Sequence, residues 1–321
     1  VLPFLGCVGA SLALSALVNL INVIQAAGGV GIVSAATDDI SVTLGLLGFL
    51  VPMALAMSAR ALPLYAGLES IPQRILWPTA YVYAAGLALA LLGMLGETGG
   101  PWQSAGFARV EGLGLAVIGL TLVIFIGYLG RLMGARGRLP ARVRDLAPQP
   151  EQAARNYTRH VSAERAKFGP YVALIGSAYA WAFVAGLLFA IDGVALLLGA
   201  LPPITLDAAR HSIAVGFIAL LLAGVSVRMI PGFSGGSIKA PRLVEALLWL
   251  GNGAALLRVG SLVALPALAV FGSGGLDLDN LLFGLSGPLG LTFAIILAVT
   301  LWPALPLRPA TTSANTPPDA G

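Results

Sequence analysis

One pattern occurs twice in this chain, 168 residues apart, and it restricts the possible folds more than any other feature. Gly48-Phe49, Arg60, Pro63 and Gly67 recur as Gly216-Phe217, Arg228, Pro231 and Gly235, with apolar runs between them. Asp39 and Asp207, Arg74 and Arg242, and the aromatic residues Tyr81 and Trp249 keep the same offset. Ungapped agreement at so many positions marks a duplicated unit, whose copies fold alike and pack about an internal axis.

The solvent of that unit follows from its polarity. The chain is 58% hydrophobic and only 10% charged, with a mean hydropathy of +0.91, whereas soluble domains run at roughly 45–50% apolar and about 25% charged. Several stretches exceed the roughly 18 apolar residues that carry a helix across a bilayer, and the alternation of a membrane barrel is absent. The expected fold is an all-α polytopic membrane bundle. Its eight transmembrane helices fall at about 5–25, 40–59, 75–95, 110–131, 169–190, 211–230, 243–265 and 281–303. Four spans per copy return the chain to its starting side, so the two four-helix repeats run parallel.

Charge sets the expected orientation. Arg60 and Arg74 flank the second connection, Arg131 through Lys167 crowd the fourth, and Arg228, Lys239 and Arg242 flank the sixth. The other connections carry mainly acids, among them Asp38, Asp39, Glu97, Glu111, Asp207, Asp277 and Asp279. By the positive-inside rule both termini and the long central loop are cytoplasmic, in a membrane of the bacterial cytoplasmic type. The net charge of +4 therefore belongs to topology and lipid contact, not to nucleic acid. No charged leader precedes the first span, so a cleaved signal peptide is not expected.

These signals divide the chain into a first repeat at 1–135, a basic loop at 136–167, a second repeat at 168–305 and a tail at 306–321. Within the loop, residues 151–167 fit a short interfacial helix against anionic lipid. The tail, rich in Pro, Thr, Ser and Ala, has the composition of a disordered segment. Pro52 and Pro288 fall inside spans and predict local kinks.

Few residues offer chemistry. Cys7 is the lone cysteine, which excludes an internal disulfide or a cysteine-ligated cluster within one chain. Of the two histidines, His160 lies among loop arginines and reads as a surface group, while His211 opens the sixth span just before Gly216-Phe217. A single such histidine serves either as an interfacial group held by a loop carbonyl or as a metal ligand. Arg60 and Arg228 end the matched second and sixth spans. They either neutralise helix C-termini and reach headgroups, or form a pair of anion-binding forks at a vestibule. Arg258 lies within the seventh span, where a charge costs at least about 2.5 kcal/mol, so it needs a carboxylate partner such as Asp192, Asp207, Asp277 or Asp279, or it snorkels outward. Asn19 and Asn22, three residues apart on one helix face, are expected to look into the bundle. With Tyr81, Tyr83, Tyr179 and Trp181 they are candidates to line a polar pocket.

The repeated Gly-Phe, Arg, Pro-x-aromatic-x-Gly arrangement resembles the NnrS family, membrane proteins described as containing haem and copper and associated with denitrification and nitric oxide resistance. The segment from His211-Ser-Ile-Ala-Val-Gly-Phe to Arg228-Met-Ile-Pro-Gly-Phe-Ser-Gly235 looks like the family's glycine-rich span, with His211 at the leading histidine and Arg228 at the arginine. Phe233 stands where that family usually has its second histidine, and Ser41 and Thr43 stand where earlier histidines would be. The resemblance implies a haem or copper site at His211 and a role in redox or nitrosative-stress physiology. The residues themselves leave two further functions open. One is a small-solute or anion transporter with Arg258 or the Arg60/Arg228 pair at its path; the other is a structural subunit of an oligomer or larger membrane complex.

Overall fold

The computed structural model describes residues 1–30, 34–65, 70–97, 105–134 and 146–305, so the expected tail at 306–321 lies outside the described residues. These residues form helices and no strand. We number them α1 (Leu2–Gln25), α2 (Ala35–Thr43), α3 (Val51–Tyr65), α4 (Gln73–Glu97), α5 (Ala105–Gly134), α6 (Pro150–Phe168), α7 (Tyr171–Leu197), α8 (Leu206–His211), α9 (Leu220–Ser234), α10 (Pro241–Leu268) and α11 (Ser273–Leu301). Eight helical stretches are long and apolar enough to cross a membrane, with α2–α3 and α8–α9 each counting as one interrupted span. In hydrocarbon a backbone must satisfy its own N–H and C=O groups, which is why such a sequence resolves into helices.

The repeat governs the elements as well as the residues. α4 and α10 begin 168 residues apart, as do α5 and α11, and the start of α7 follows that of α1 by 169. α2 and α8 start behind side-chain caps: Ser34 Oγ accepts from Thr37 N (3.2 Å) and Thr205 Oγ1 from Asp207 N (3.3 Å). Each then widens into a π-helical stretch, Leu44–Leu50 in one copy and Ser212–Ala219 in the other, before resuming as α3 and α9. Helix α9 stops at Gly235, whose φ of 70° suits glycine.

Two expectations need correction and a third holds. The kink predicted at Pro52 is a wide turn preceding it, and the second repeat has the same wide turn with Leu220 in place of that proline. The last span begins at Ser273, not 281, so Asp277 and Asp279 sit within a helix and not in a loop. Residues 151–167 do form a helix, α6, bounded by Pro150 and Phe168. Its Glu151 at the start and Arg165 and Lys167 at the end complement the helix dipole.

Small residues set the packing. A side chain at Gly93 or Gly114 would overlap the backbone across the α4–α5 contact, and one at Gly112, Gly119 or Gly193 would do so across α5–α7. Lipid supplies no hydrophobic drive between helices, so close backbone approach replaces it. The α5–α7 pair is the most extensive helix contact and joins the first repeat to the second. One continuous core of buried residues, including Phe4, Tyr83, Phe125, Phe189 and Phe217, runs through both repeats.

Candidate functional site

The two wide-turned spans meet each other at Leu44–Leu50 and Ser212–Ala219, on the boundary between repeats. π turns free carbonyls from the helical ladder, and in the first repeat side chains from neighbouring helices take them. Tyr83 Oη donates to Leu47 O at 2.7 Å, and Cys7 Sγ lies 3.9 Å from Gly48 O.

Beyond this contact α3 and α9 part, leaving a cavity of about 230 Å³. Its walls are built in matched pairs: Leu50 and Ile218, Met53 and Leu221, Ala54 and Leu222, Met57 and Val225, Ala61 and Met229. Every pair is separated by 168 residues, so the cavity lies on the internal axis. Tyr171 and Ile175 of α7 form one side, Ser58 supplies a hydroxyl, and Arg228 stands at one end. The volume falls below the roughly 300–1,000 Å³ of a drug-sized pocket, which limits an occupant to a single slender chain or a small solute.

At that end Arg228 is held. Its Nε and Nη2 donate to Glu164 Oε1 at 3.2 and 3.0 Å, and its guanidinium stacks 4.8 Å above the Phe168 ring. Tyr171 Oη donates to the other carboxylate oxygen at 3.0 Å, and His160 Nε2 lies 3.9 Å from Oε1. Glu164 thus ties α6 to α7 and α9. Arg60, the repeat-mate of Arg228, is exposed and makes no hydrogen bond or ion pair among the described residues. The two arginines are therefore not a symmetric pair of forks in this structure.

The opposite end carries acids and one central base. Arg210 donates to Asp39 at 2.8 Å, lies 3.5 Å from Asp207, and reaches Thr43 Oγ1 at 3.3 Å. Asp39 and Asp207 are repeat-mates, so a single arginine bridges equivalent carboxylates of both copies. That contact places matched ends of the repeats side by side, as parallel copies require. His211 follows it as the last residue of α8; its Nδ1 donates to Asp207 O (2.8 Å), and Nε2 has no hydrogen bond among the described residues. No group of three or more His, Cys, Asp or Glu side chains suited to a metal ion occurs among the described residues.

The expected polar pocket does not assemble. Tyr81 points outward at 59% exposure, Tyr179 packs against Phe217 with ring centroids 5.3 Å apart, and Trp181 Nε1 donates to Asn252 Oδ1 at 2.9 Å. Asn22 is buried as expected, but Asn19 is exposed and bonds to Ser41 Oγ (3.0 Å) and Ser15. Arg258 is neither ion-paired among the described residues nor free: its guanidinium sits 3.5 Å over the Phe283 ring. A cation–π contact in low dielectric compensates part of the cost of that charge.

Three residues that organise these clusters carried little sequence signal. Glu164 is an acid inside a basic stretch, Arg210 a base on the acidic side, and Asn252 a lone amide in a span that also bonds Ser177. Opposite charge against the local trend was the available clue for the first two. The chain matches no protein-family model and no curated protein.

Proposed function

We propose that this protein binds a small amphipathic anion in the axial cavity and carries it across the membrane, the two repeats rocking about their contact at the wide turns. The observation that carries this reading is the matched lining: five pairs of cavity-facing residues from the two interrupted spans are related by the repeat, while Ser58, Leu62 and Arg228 face it without their mates. Parallel repeats enclosing a midplane site are a recurrent transporter arrangement. The apolar walls accommodate an aliphatic tail, and Arg228 at the mouth recognises the acidic head in competition with Glu164. By the positive-inside rule the Arg60/Arg228 end faces the cytoplasm of a bacterial cell, with both termini on that side.

Proteoliposomes loaded with purified protein test this with radiolabelled octanoate as the probe. Ala54→Phe fills the cavity and is expected to reduce uptake at least tenfold, whereas Leu120→Phe on an exposed face of α5 leaves it unchanged. Arg228→Gln is expected to raise the half-saturation concentration about tenfold, equivalent to about 1.4 kcal/mol. Equal uptake by all variants, each folded by its thermal unfolding profile, would overturn the reading.

A second reading draws on the resemblance to the NnrS family and on one contact. The Nδ1 proton of His211 is committed to the Asp207 carbonyl, which leaves the Nε2 lone pair available to ligate haem iron or copper. A reduced-minus-oxidised spectrum with metal analysis, on the wild type and His211→Ala, decides it: a signal lost in the variant supports a redox role, and a metal-free wild type removes it.

A further inference from the structure

The α5–α7 interface exists once in the chain, yet the repeat supplies both of its halves a second time. Across it, Gly112, Ala116 and Gly119 of α5 lie against Gly186, Ala190 and Gly193 of α7. The repeat-mates of the α5 residues are Asn280, Gly284 and Gly287 on α11, all exposed, with open space around both glycines.

The same helix keeps the repeat on its other side. Glu111, Ile118 and Phe125, buried on α5, correspond to Asp279, Ser286 and Phe293, which are buried on α11. α4 covers α5 and α10 covers α11. The exposed stripe on α11 is therefore the counterpart of a covered one, not a helix that has drifted out of register.

The partner half is likewise open. Ser11 lies against Gly48 as Trp181 lies against the repeat-mate Gly216, which equates α1 with α7 at an offset of 170. On that register Leu174, Ala178 and Asp192 correspond to Phe4, Val8 and Asn22, and all six are buried. Gly186, Ala190 and Gly193 correspond to Ala16, Leu20 and Val23, and these three are exposed. α1 and α11 make no contact comparable to α5–α7 among the described residues.

A contact between unlike faces repeats until rotation closes it. Two repeats related by half a turn would have closed within one chain, with α11 on α1. We propose that a second copy of this chain closes the ring: α11 of each protomer packs on α1 of its partner in the register of α5–α7, at the wider separation that Leu20, Val23 and Asn280 require, giving a two-fold dimer of four repeats. On that ring the partner's repeats also border the axial cavity, whatever that cavity binds.

Disulfide cross-linking in native membranes tests it, in a Cys7→Ser background. Gly287→Cys on a protomer with one tag is co-expressed with Ala16→Cys on a protomer with another, since these positions are the mates of Gly119 and Gly186. The expected product is a covalent dimer carrying both tags, at least fivefold more abundant than from a control pair at Leu92 and Leu120. The wild type is expected at the mass of two chains by native mass spectrometry from nanodiscs, and Gly284→Trp at the mass of one. A monomeric wild type, a cross-link to another protein, or yields no higher than the control pair would overturn the proposal.

Discussion

Tyr83 and Tyr81 sit two residues apart in α4 and do opposite things. Tyr83 is fully buried and satisfies the Leu47 carbonyl freed by the wide turn, while Tyr81 and its repeat-mate Trp249 are 59% and 70% exposed on the outer face. Tyr83→Phe leaves that carbonyl without a partner inside the bundle and is expected to cost about 1–3 kcal/mol. Tyr81→Phe is expected to stay within about 0.5 kcal/mol, both read from reversible unfolding in detergent. The residue types were legible as amphipathic aromatics, but their roles were not. Which tyrosine turns inward depends on where the Leu44–Leu50 turn and α5 lie, and α4, apolar on every side, gives no stripe to read.

At the scale of elements, the wide turns illustrate how a local rule misattributes a tertiary effect. Proline breaks the helical ladder, so Pro52 is an adequate local cause, yet Leu220 at the matched position accompanies the same turn. What both copies share is a glycine pressed against a neighbouring helix: a side chain at Gly48 would meet Ser11, and one at Gly216 would meet Trp181. Pro52→Leu is therefore expected to fold with little loss, whereas Gly48→Val and Gly216→Val are each expected to cost about 1–3 kcal/mol through overpacking. Thermal unfolding of the three variants side by side checks this. Helix α6 makes a second case, since its existence was readable from its polar composition but its tether was not. Glu164→Gln is expected to raise amide exchange across residues 150–168 while leaving α10 and α11 unchanged, as measured by mass spectrometry.

For the whole molecule, the joint between repeats rests on α5–α7 and on Arg210 at the acidic end. Arg210 is largely buried while Asp39 is 55% exposed, so a double-mutant cycle of Arg210→Gln and Asp39→Asn is expected to give a coupling of about 0.2–1 kcal/mol. A coupling of zero would mean that helix packing alone holds the copies together. The sequence alone determined that the chain is a helical bundle of eight spans built from two parallel copies, because hydropathy and an ungapped offset are properties of the chain read locally. The tertiary structure alone decided that α5 embraces α7 while α11 and α1 remain open, that Arg228 is held by Glu164 while Arg60 is not, and that a cavity lies between α3 and α9. Those outcomes depend on shape complementarity between glycine-lined backbones far apart in the chain. In hydrocarbon, where inward and outward faces are almost equally apolar, no pattern of polarity encodes which backbones meet.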